Sequence, residues 1–546
     1  MAIGIVQTGS GPVKGVEFDG NYSGITLFKG IPYAKPPVGD LRWKAPQDPE
    51  PWTEVRVCDT YGPAAVQTPL ADRHAKEYYF RGLPEFSEDC LYLNVTTGAE
   101  KAGKKRPVYM WFHGGGLTNC YAYEEQFNAQ EMAKKGVIVV TVGQRLSLFG
   151  YLALPQLTKE QDGRSGNYGF MDQLKALDWV TENIEAFGGD PDCITVGGQS
   201  GGCTKAAAMA ATAVTGGRVK RVISQSGLKM MCRFKTLAQA EEQGRNYLRY
   251  AGIDPDTPLE ELRKLDTYEL FKDAPRALFP GDMVCDGDLV PFITMREGIE
   301  RYARDVDFLS GSNWGEMDVF VASKAKLGPE PVNDYVKVIR NEADFHAHFR
   351  NLLGPIYDEF DGEHTLNANL EENAYRSARW YAGLGLAGWV GMNFSRNVML
   401  NRMFGMRRIE LGHTGKTYTY YWRHLEPCRP EDYGTERDPD RLLAWHSSEL
   451  WFVFKSLRPG IPPLRPWEDL DYKVAERMNN YWVNFIKTGD PNGNDQPFWP
   501  ASDEKYGWME LGDEAVAHTW EGTNLEKMIK AFVIREYNYN AKEAKL

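Results

Sequence analysis

The sequence has few cysteines, no excess of positive charge and no long hydrophobic run. Eight cysteines are spread through 546 residues without one C-x-x-C pair, which argues against a disulfide framework or a zinc site. With 63 basic and 75 acidic side chains the formal net charge is −12, which argues against nucleic acid and anionic membrane surfaces as partners. No stretch is long and apolar enough to predict a membrane span.

Targeting signals and low-complexity linkers are also missing. The first residues, Met1 to Gly9, lack the basic segment and apolar core of a secretory signal. We therefore expect a cytoplasmic protein. A peroxisomal one is the alternative, because the final Ala544-Lys545-Leu546 is close to the S-K-L address. No internal repeat interrupts the chain, so we expect one continuous domain over residues 1–546.

The residues that are present are typical of a globular α/β protein. Hydrophobic residues make up 42% and charged residues 25% of the chain. Helix-like segments, among them Asp172 to Phe187, Lys205 to Ala213 and Asp469 to Ile486, alternate with β-rich runs, which predicts a mostly parallel sheet covered by helices on both faces. The runs predicted as strands are Val108 to Phe112, Val137 to Val142, Ile194 to Val196, Val219 to Ile223, Val306 to Leu309 and Thr417 to Trp422.

The most informative motif is Gly198-Gln199-Ser200-Gly201-Gly202, which follows the apolar run Ile194 to Val196. A serine flanked by small residues at a strand-to-helix turn is the signature of a nucleophile elbow, in which the hydroxyl is held exposed. With 54 glycines the motif alone is weak, but the change from β-branched residues to the helix formers from Lys205 to Met209 supports it. Ser200 is therefore the candidate nucleophile.

A second glycine-rich motif could supply donors for an oxyanion. His113-Gly114-Gly115-Gly116 directly follows the predicted strand that ends at Phe112. Glycines let backbone N–H groups approach a negatively charged oxygen closely, so this segment is a candidate oxyanion loop. Three adjacent glycines could also form a plain flexible loop.

An acid and a base should follow the serine in chain order. Glu316 comes shortly after the strand that ends near Leu309 and is the leading acid, although spacing alone leaves Asp318 open. His446 lies beyond the strand Thr417 to Trp422 and is the candidate base. The other downstream histidines considered are read as surface residues; they are His364, His413, His424 and His518.

These motifs together resemble the type B carboxylesterases, a family of α/β-hydrolases, over nearly the whole chain. The residues that carry the resemblance, in order, are Phe28 to Ala34 with Leu41-Arg42-Trp43, Ser87 to Val95, Gly166 to Gln173, Phe187 to Pro191 and Asp286-Gly287-Asp288. The resemblance implies an α/β-hydrolase fold with large insertions around a central, mostly parallel sheet.

The resemblance also implies roles for individual residues. It makes Ser200 the nucleophile, Glu316 the acid and His446 the base of a catalytic triad. The backbone of Gly115, Gly116 and Gly201 becomes the oxyanion hole. Two further residues, Gln199 and Ser226, are expected to lie next to the catalytic groups without contacting the substrate. A hydrogen-bonded loop serine is an equally good interpretation of Ser226.

The chain departs from the family pattern at informative positions. Gln199 replaces the common glutamate, and Gly201 replaces the usual alanine, so we expect a looser elbow. Ala65 and Ile253 stand where secreted members often carry cysteines, which leaves Cys90 without its usual partner. A neutral Gln199 and the absence of Trp between Val66 and Phe86 disfavour choline esters, because a quaternary ammonium group would lack both an anion and an aromatic cage.

No cofactor or metal is implied. The G-x-G-x-x-G run from Gly383 to Gly388 follows a helix-like segment rather than a strand, and His346 and His348 are spaced to point to different faces of a helix. We expect a serine hydrolase that cleaves small-molecule carboxylic esters, with an amide, carbamate or lactone hydrolase as the alternative. A non-catalytic interaction protein of the same fold is the alternative from another functional class. The acyl and alcohol preference and the oligomeric state stay open.

Overall fold

The chain divides into two compact units, each with its own strands and helices. The first unit comprises Met1–Ala71, Arg81–Phe308 and Val483–Asp490, and the second comprises Asp72–Phe80, Leu309–Trp482 and Pro491–Leu546. The prediction of one continuous domain over 1–546 stays a prediction. This computed structural model describes residues 2–68, 79, 82–227, 233–275, 277–316, 336–337, 342–368, 388–389, 393–435, 437–463, 465–494 and 496–537.

Strands and helices are numbered along the chain. Those of the first unit are β1 Ile5–Gln7, β2 Pro12–Lys14, β3 Val16–Glu17, β4 Thr26–Pro32, β5 Arg56–Val57, β6 Ala64–Ala65, β7 Phe86–Ser87, β8 Tyr92–Thr97, β9 Arg106–Phe112, β10 Ile138–Val142, β11 Gly189–Gln199, β12 Val219–Gln225, β13 Lys235–Thr236 and β14 Val284–Cys285, with α1 Gln130–Lys134, α2 Ser147–Tyr151, α3 Pro155–Glu160, α4 Tyr168–Asn183, α5 Gly201–Ala210, α6 Leu237–Tyr250, α7 Leu259–Lys264, α8 Thr267–Leu270 and α9 Met295–Tyr302.

The remaining elements belong wholly or mainly to the second unit. They are β15 Asp307–Asn313, β16 Val336–Lys337, β17 Gly388–Trp389, β18 Thr417–Trp422, β19 Trp508–Leu511 and β20 Ala515–His518, with α10 Glu342–Leu353, α11 Pro355–Glu359, α12 Gly362–Asn367, α13 Asn393–Glu410, α14 Pro439–Leu442, α15 Glu449–Val453, α16 Asp469–Thr488 and α17 Asn524–Tyr537.

A mixed sheet forms the centre of the first unit. Its described strands lie side by side in the order β12, β11, β9, β10, β8, β4 and β3. β11 is parallel to both of its neighbours, so that Val196 lies opposite Met110 on one side and Val222 on the other. The strands at the far edge are antiparallel. β11, which leads to Ser200, therefore lies inside the sheet with a parallel strand on each side.

Helices cover this sheet through short, apolar contacts. The helix α5 packs on β9, β11 and β12, and α4 packs on β11. The small side chains of α5 are buried along its whole length, which brings the helix close to the sheet. The alternation of strands and helices confirms the predicted α/β class.

In the second unit, β15, β18, β19 and β20 are neighbours in that order. β18 is parallel to β19, and β19 is antiparallel to β20. Aromatic residues fill the strand β18, whose six residues are all buried. The helix α13 packs on β18 and on α17.

The predicted elements correspond closely to the observed ones. The strand predicted over Thr417 to Trp422 has those bounds, whereas the strand predicted over Ile194 to Val196 is β11, which extends from Gly189 to Gln199. The helix predicted over Asp172 to Phe187 divides into α4 and a short 3-10 helix. The extra length of β11 comes from polar and glycine residues, whose extended conformation depends on pairing with the neighbouring strands.

The described cysteines are free thiols, and Cys90 among them is buried. Burial raises the pKa of the Cys90 thiol well above its usual range. None of the helices in the described ranges has the length and apolar character needed to cross a membrane.

A buried ion pair joins α4 to the segment after β10. The guanidinium of Arg145 donates to both carboxylate oxygens of Asp172 at 2.9 and 2.7 Å, and to the carbonyl of Lys44 at 2.8 Å. Both side chains are at most 1% exposed. Because neither charge reaches water, each depends on the other for its solvation.

Replacement of Asp172 by Asn should destabilise the fold strongly. The buried guanidinium would lose its counter-charge, and we expect the free energy of unfolding to fall by about 3 kcal/mol. Urea unfolding followed by circular dichroism measures this change. The exposed pair of Lys35 and Glu50 provides the control, because Glu50→Gln should cost at most about 1 kcal/mol. An equal loss of unfolding free energy in the two variants would contradict a special stabilising role for the buried ion pair.

Candidate active site

Ser200 occupies a strained turn between β11 and α5. Its backbone has φ 56° and ψ −118°, a region that residues with a Cβ rarely adopt. The turn is held by the bond from the Ser200 amide to the carbonyl of Gln225 on the neighbouring strand, at 2.9 Å. The structure therefore has the strand, sharp turn and helix that the nucleophile-elbow motif predicts.

A glycine is needed where α5 begins because the helix starts against the end of β9. A Cβ placed on Gly202 would lie 2.0 Å from the carbonyl oxygen of Phe112. No side chain fits in that gap without a shift of the backbone. This close approach explains the final glycine of the motif and sets the direction in which α5 leaves the turn.

The segment His113 to Gly116 follows β9 and has its carbonyl oxygens engaged. The imidazole Nδ1 of His113 bonds to the carbonyl of Gly114 at 3.0 Å, and the amide of Asn119 donates to the carbonyl of Gly115 at 3.0 Å. In a trans peptide the following N–H points opposite to its carbonyl. The N–H groups of Gly115 and Gly116 are therefore directed away from these bonds.

Neighbouring side chains fix the ring and backbone of His113. The side-chain amide of Gln144 lies 3.1 Å from Nε2, so that Nε2 accepts and Nδ1 carries the proton. The carbonyl of His113 accepts from the ammonium group of Lys205 at 2.9 Å. All three of these residues are at most 1% exposed. The loop is thus held by buried polar contacts, and the interpretation as a plain flexible loop is wrong.

The loop and the elbow are in contact within the first unit. A Cβ on Gly201 would lie 2.0 Å from the carbonyl oxygen of Gly116, and one on Gly114 would lie 3.5 Å from the Cβ of Ser200. The structure therefore brings together Ser200 and the glycines at 115, 116 and 201. The expectation that Gly201 loosens the elbow is wrong, because its missing side chain permits closer packing instead.

Glu316 and His446 form a pair in the second unit. The imidazole Nδ1 lies 2.5 Å from the carboxylate oxygen Oε2, and the other oxygen accepts from the amide of Asn313 at 2.9 Å. Glu316 is only 4% exposed, so its charge is directed at the ring. Nδ1 of the ring is thus engaged with the carboxylate.

Further polar contacts hold the turn that carries the histidine. The side-chain amide of Asn313 donates to the carbonyl of Trp445 at 2.9 Å and to the carboxylate of Glu449 at 2.5 Å. The hydroxyl of Tyr79 donates to the carbonyl of His446 at 3.0 Å. Asn313 therefore links the turn of Glu316 with the turn of His446.

The residues expected behind the catalytic groups have different surroundings. Gln199 ends β11 and is 3% exposed. Ser226 follows β12, and its buried hydroxyl has no hydrogen-bond partner in the part of the chain described. Both interpretations of Ser226 stay predictions. Asp318, Tyr78 and Phe80 lie outside the described residues.

The prediction that His424 is a surface histidine is wrong. It is 3% exposed, and its two ring nitrogens lie 2.7 Å from carboxylate oxygens of Asp471 and Asp513. Burial alone would lower the pKa of His424, but the hydrogen bonds to the two carboxylates outweigh burial and raise the pKa. Asp471 and Asp513 follow His424 by 47 and 89 residues, so proximity to a strand end could not reveal them.

Three further residues contribute to these arrangements and are not indicated by any of the sequence motifs. They are Lys205, Asn313 and Tyr79. Lys205 had a usable signal, because it is the one charged residue in α5. Asn313 precedes Glu316 by three residues, but its side-chain contacts lie more than 130 residues away. For Tyr79 no local pattern indicated a contact with His446.

A strained serine between a strand and a helix, a glycine loop packed against it and a buried Glu–His pair are typical of serine hydrolases of the α/β-hydrolase fold.

The comparisons with known proteins identify the family. A model of the Carboxylesterase family matches residues 3–528, so the chain belongs to this family and is a carboxylic ester hydrolase. The para-nitrobenzyl esterase of Bacillus subtilis is 30% identical, with 92% of this chain and 93% of the relative covered. The liver carboxylesterase of Sus scrofa is 28% identical, with 93% and 89% covered.

Solved structures agree with this assignment. A carboxylesterase from Geobacillus stearothermophilus superimposes with a TM-score of 0.74 at 26% identity and covers 96% of this chain and 99% of its own. A PNB esterase superimposes with a TM-score of 0.72 at 28% identity and the same coverage. The α/β-hydrolase fold expected from the sequence is confirmed.

Replacement of Asn313 by Ala should lower both stability and activity. Trp445 and Glu449 would lose a buried donor, and we expect the free energy of unfolding to fall by about 2 kcal/mol. Because Trp445 precedes His446, kcat should fall as well. Thermal unfolding and ester-hydrolysis assays measure the two effects. The control is Asn246→Ala, which removes an exposed amide-to-carboxylate bond to Glu242. If Asn313→Ala had the stability and kcat of the wild type, Asn313 would not link the two turns.

The contribution of His424 to stability should depend on pH. Since its folded-state pKa is raised, its stabilisation is complete below the unfolded-state pKa near 6.5 and is lost as the pH rises through the folded-state value. The difference in free energy of unfolding between the wild type and His424→Gln should therefore shrink from pH 6 to pH 9. His364→Gln, at an exposed histidine, is the control. A difference that grows with pH would contradict this prediction.

Proposed function

We propose that the protein hydrolyses neutral aryl or alkyl esters through an acyl-enzyme, with Ser200 as nucleophile, His446 as base and Glu316 as the acid that orients the base. The contact of 2.5 Å between His446 and Glu316 carries the proposal. This contact fixes the ring tautomer that a general base needs. The strained turn at Ser200 supports the same assignment, because it exposes the hydroxyl.

The first half of the reaction forms the acyl-enzyme. Nε2 of His446 accepts the proton of the Ser200 hydroxyl while the oxygen attacks the ester carbonyl. The carboxylate of Glu316 stabilises the imidazolium without taking its proton. Collapse of the tetrahedral intermediate transfers that proton to the leaving alcohol, and the acyl group stays on Ser200.

The second half of the reaction releases the acid. A water molecule gives its proton to Nε2 of His446 and attacks the acyl carbonyl, and the serine leaves with a proton returned by the imidazolium. In both halves the carbonyl oxygen becomes an anion. We assign its stabilisation to the N–H groups of Gly115, Gly116 and Gly201, and the contact of Gly201 with Gly116 supports this oxyanion hole.

The preference for neutral esters follows from the residue beside the nucleophile. Gln199 has no charge, and it is buried at the end of β11. A cationic ester would therefore find no anion at this position. A relative named for para-nitrobenzyl esters is consistent with an aryl or alkyl substrate. We place the enzyme in the cytoplasm because its described cysteines are free thiols.

Replacement of Ser200 by Ala should abolish turnover and leave the fold intact. We expect kcat for p-nitrophenyl esters to fall by about 10⁶-fold, while circular dichroism and the thermal midpoint stay close to those of the wild type. A fluorophosphonate probe should label the wild type at Ser200 and leave the variant unlabelled. Ser23→Ala, at an exposed serine, is the control.

A panel of substrates then tests the reaction class. Matched esters, amides, carbamates and lactones of increasing size give kcat/KM values that we expect to be highest for esters. Turnover by Ser200→Ala at the wild-type rate would overturn the proposed nucleophile, and preferential cleavage of amides would overturn the proposed substrate class.

A further inference from the structure

Lys205 is a buried lysine on the helix that begins at the nucleophile. It is 0% exposed, and the other residues of α5 are small or apolar except Thr204. A lysine amino group is costly to bury unless it is hydrogen-bonded. One acceptor of this amino group is the carbonyl of His113, at a distance of 2.9 Å.

The position of this bond connects the two elements that carry the proposed oxyanion donors. Lys205 follows Gly201 by four residues and therefore lies on the same face of α5. His113 precedes Gly115 by two residues in the glycine loop. The bond thus joins α5 to the loop near the point where Gly201 contacts Gly116.

Contacts between glycines could not hold these elements in register by themselves. Glycine has no side chain to interlock, and its backbone is the most permissive of all residues. The Lys205 bond adds a directional restraint between the helix and the loop. It also occupies the carbonyl of His113, so that all three carbonyls from 113 to 115 have donors.

We propose that Lys205 is a positioning residue for ester hydrolysis, which braces the glycine loop against α5 and keeps the N–H groups of Gly115, Gly116 and Gly201 convergent on the oxyanion. The inference rests on the proposed function. Lys205 acts through the backbone donors and does not contact the substrate. Displacement of a donor reduces the stabilisation of the transition state more than the binding of the ester, because the negative charge on the oxygen develops only during the reaction.

The test compares two variants of Lys205 with a matched control. Lys205→Met keeps an unbranched side chain without a donor, and Lys205→Gln keeps a donor without the charge. Lys220→Met is the control, because the exposed Lys220 makes the same type of bond, 2.9 Å to the carbonyl of Gly217. Rates are normalised to active sites titrated with a fluorophosphonate, so that misfolded protein does not count.

We expect kcat per active site to fall by about 10- to 100-fold in Lys205→Met, with KM within about twofold of the wild type, because loss of a whole oxyanion donor costs about 100- to 1,000-fold. The affinity for a trifluoromethyl ketone, which forms a tetrahedral adduct with the serine, should fall by the same factor as kcat/KM. Lys205→Gln should retain more activity than Lys205→Met, and Lys220→Met should match the wild type.

The inference is overturned if Lys205→Met has fewer active sites or a lower thermal midpoint but an unchanged kcat per site, since Lys205 would then serve stability alone. If Lys205→Met does not fold, Lys205→Gln decides by the same comparison of kcat, KM and inhibitor affinity. A wild-type protein that cleaves no ester and resists the fluorophosphonate would instead overturn the proposed function.

Discussion

The close approach of α5 to the end of β9 is the constraint on which the first unit's site depends. The absence of side chains at 201 and 202 lets the helix begin within van der Waals distance of the loop backbone. The chain must then reverse sharply at Ser200, which accounts for its strained φ of 56°. The same approach packs the glycine loop against the turn at Ser200 and brings Lys205 within reach of the His113 carbonyl. The strain at Ser200, the packing of the glycine loop and the burial of Lys205 therefore have the same cause.

In the second unit, buried hydrogen bonds rather than close backbone packing hold the pair of Glu316 and His446. Asn313 uses its backbone for Glu316 and its side chain for the turn before His446, so that one residue relates the two turns. Tyr79 holds the carbonyl of the histidine itself. Loss of any one of these bonds would leave a polar group unpaired in the interior, which is costly. The orientation of the imidazole is for this reason a property of the whole cluster.

Motifs with a short-range physical cause could be predicted well. The elbow around Ser200, the glycine loop after β9 and the strand β18 all follow from residues close together in the chain. His424 was misjudged because its partners, Asp471 and Asp513, come from distant elements. The sequence indicates Lys205 only as a helix former, since the His113 carbonyl that it binds lies 92 residues earlier in the chain. The position of Glu316 after a strand makes it the leading acid and the family resemblance favours it over Asp318, but its contact with His446 depends on the fold.

The fold class, the family and the position of the strained serine could be predicted from the amino-acid sequence. They depend on local propensity, on glycine at close contacts and on the order of motifs along the chain. Which buried polar groups meet depends on the fold, because a hydrogen bond between residues 92 or 130 positions apart leaves no periodic trace in the sequence. Desolvation favours a hydrogen bond between polar groups that are buried together, and the fold brings such groups together.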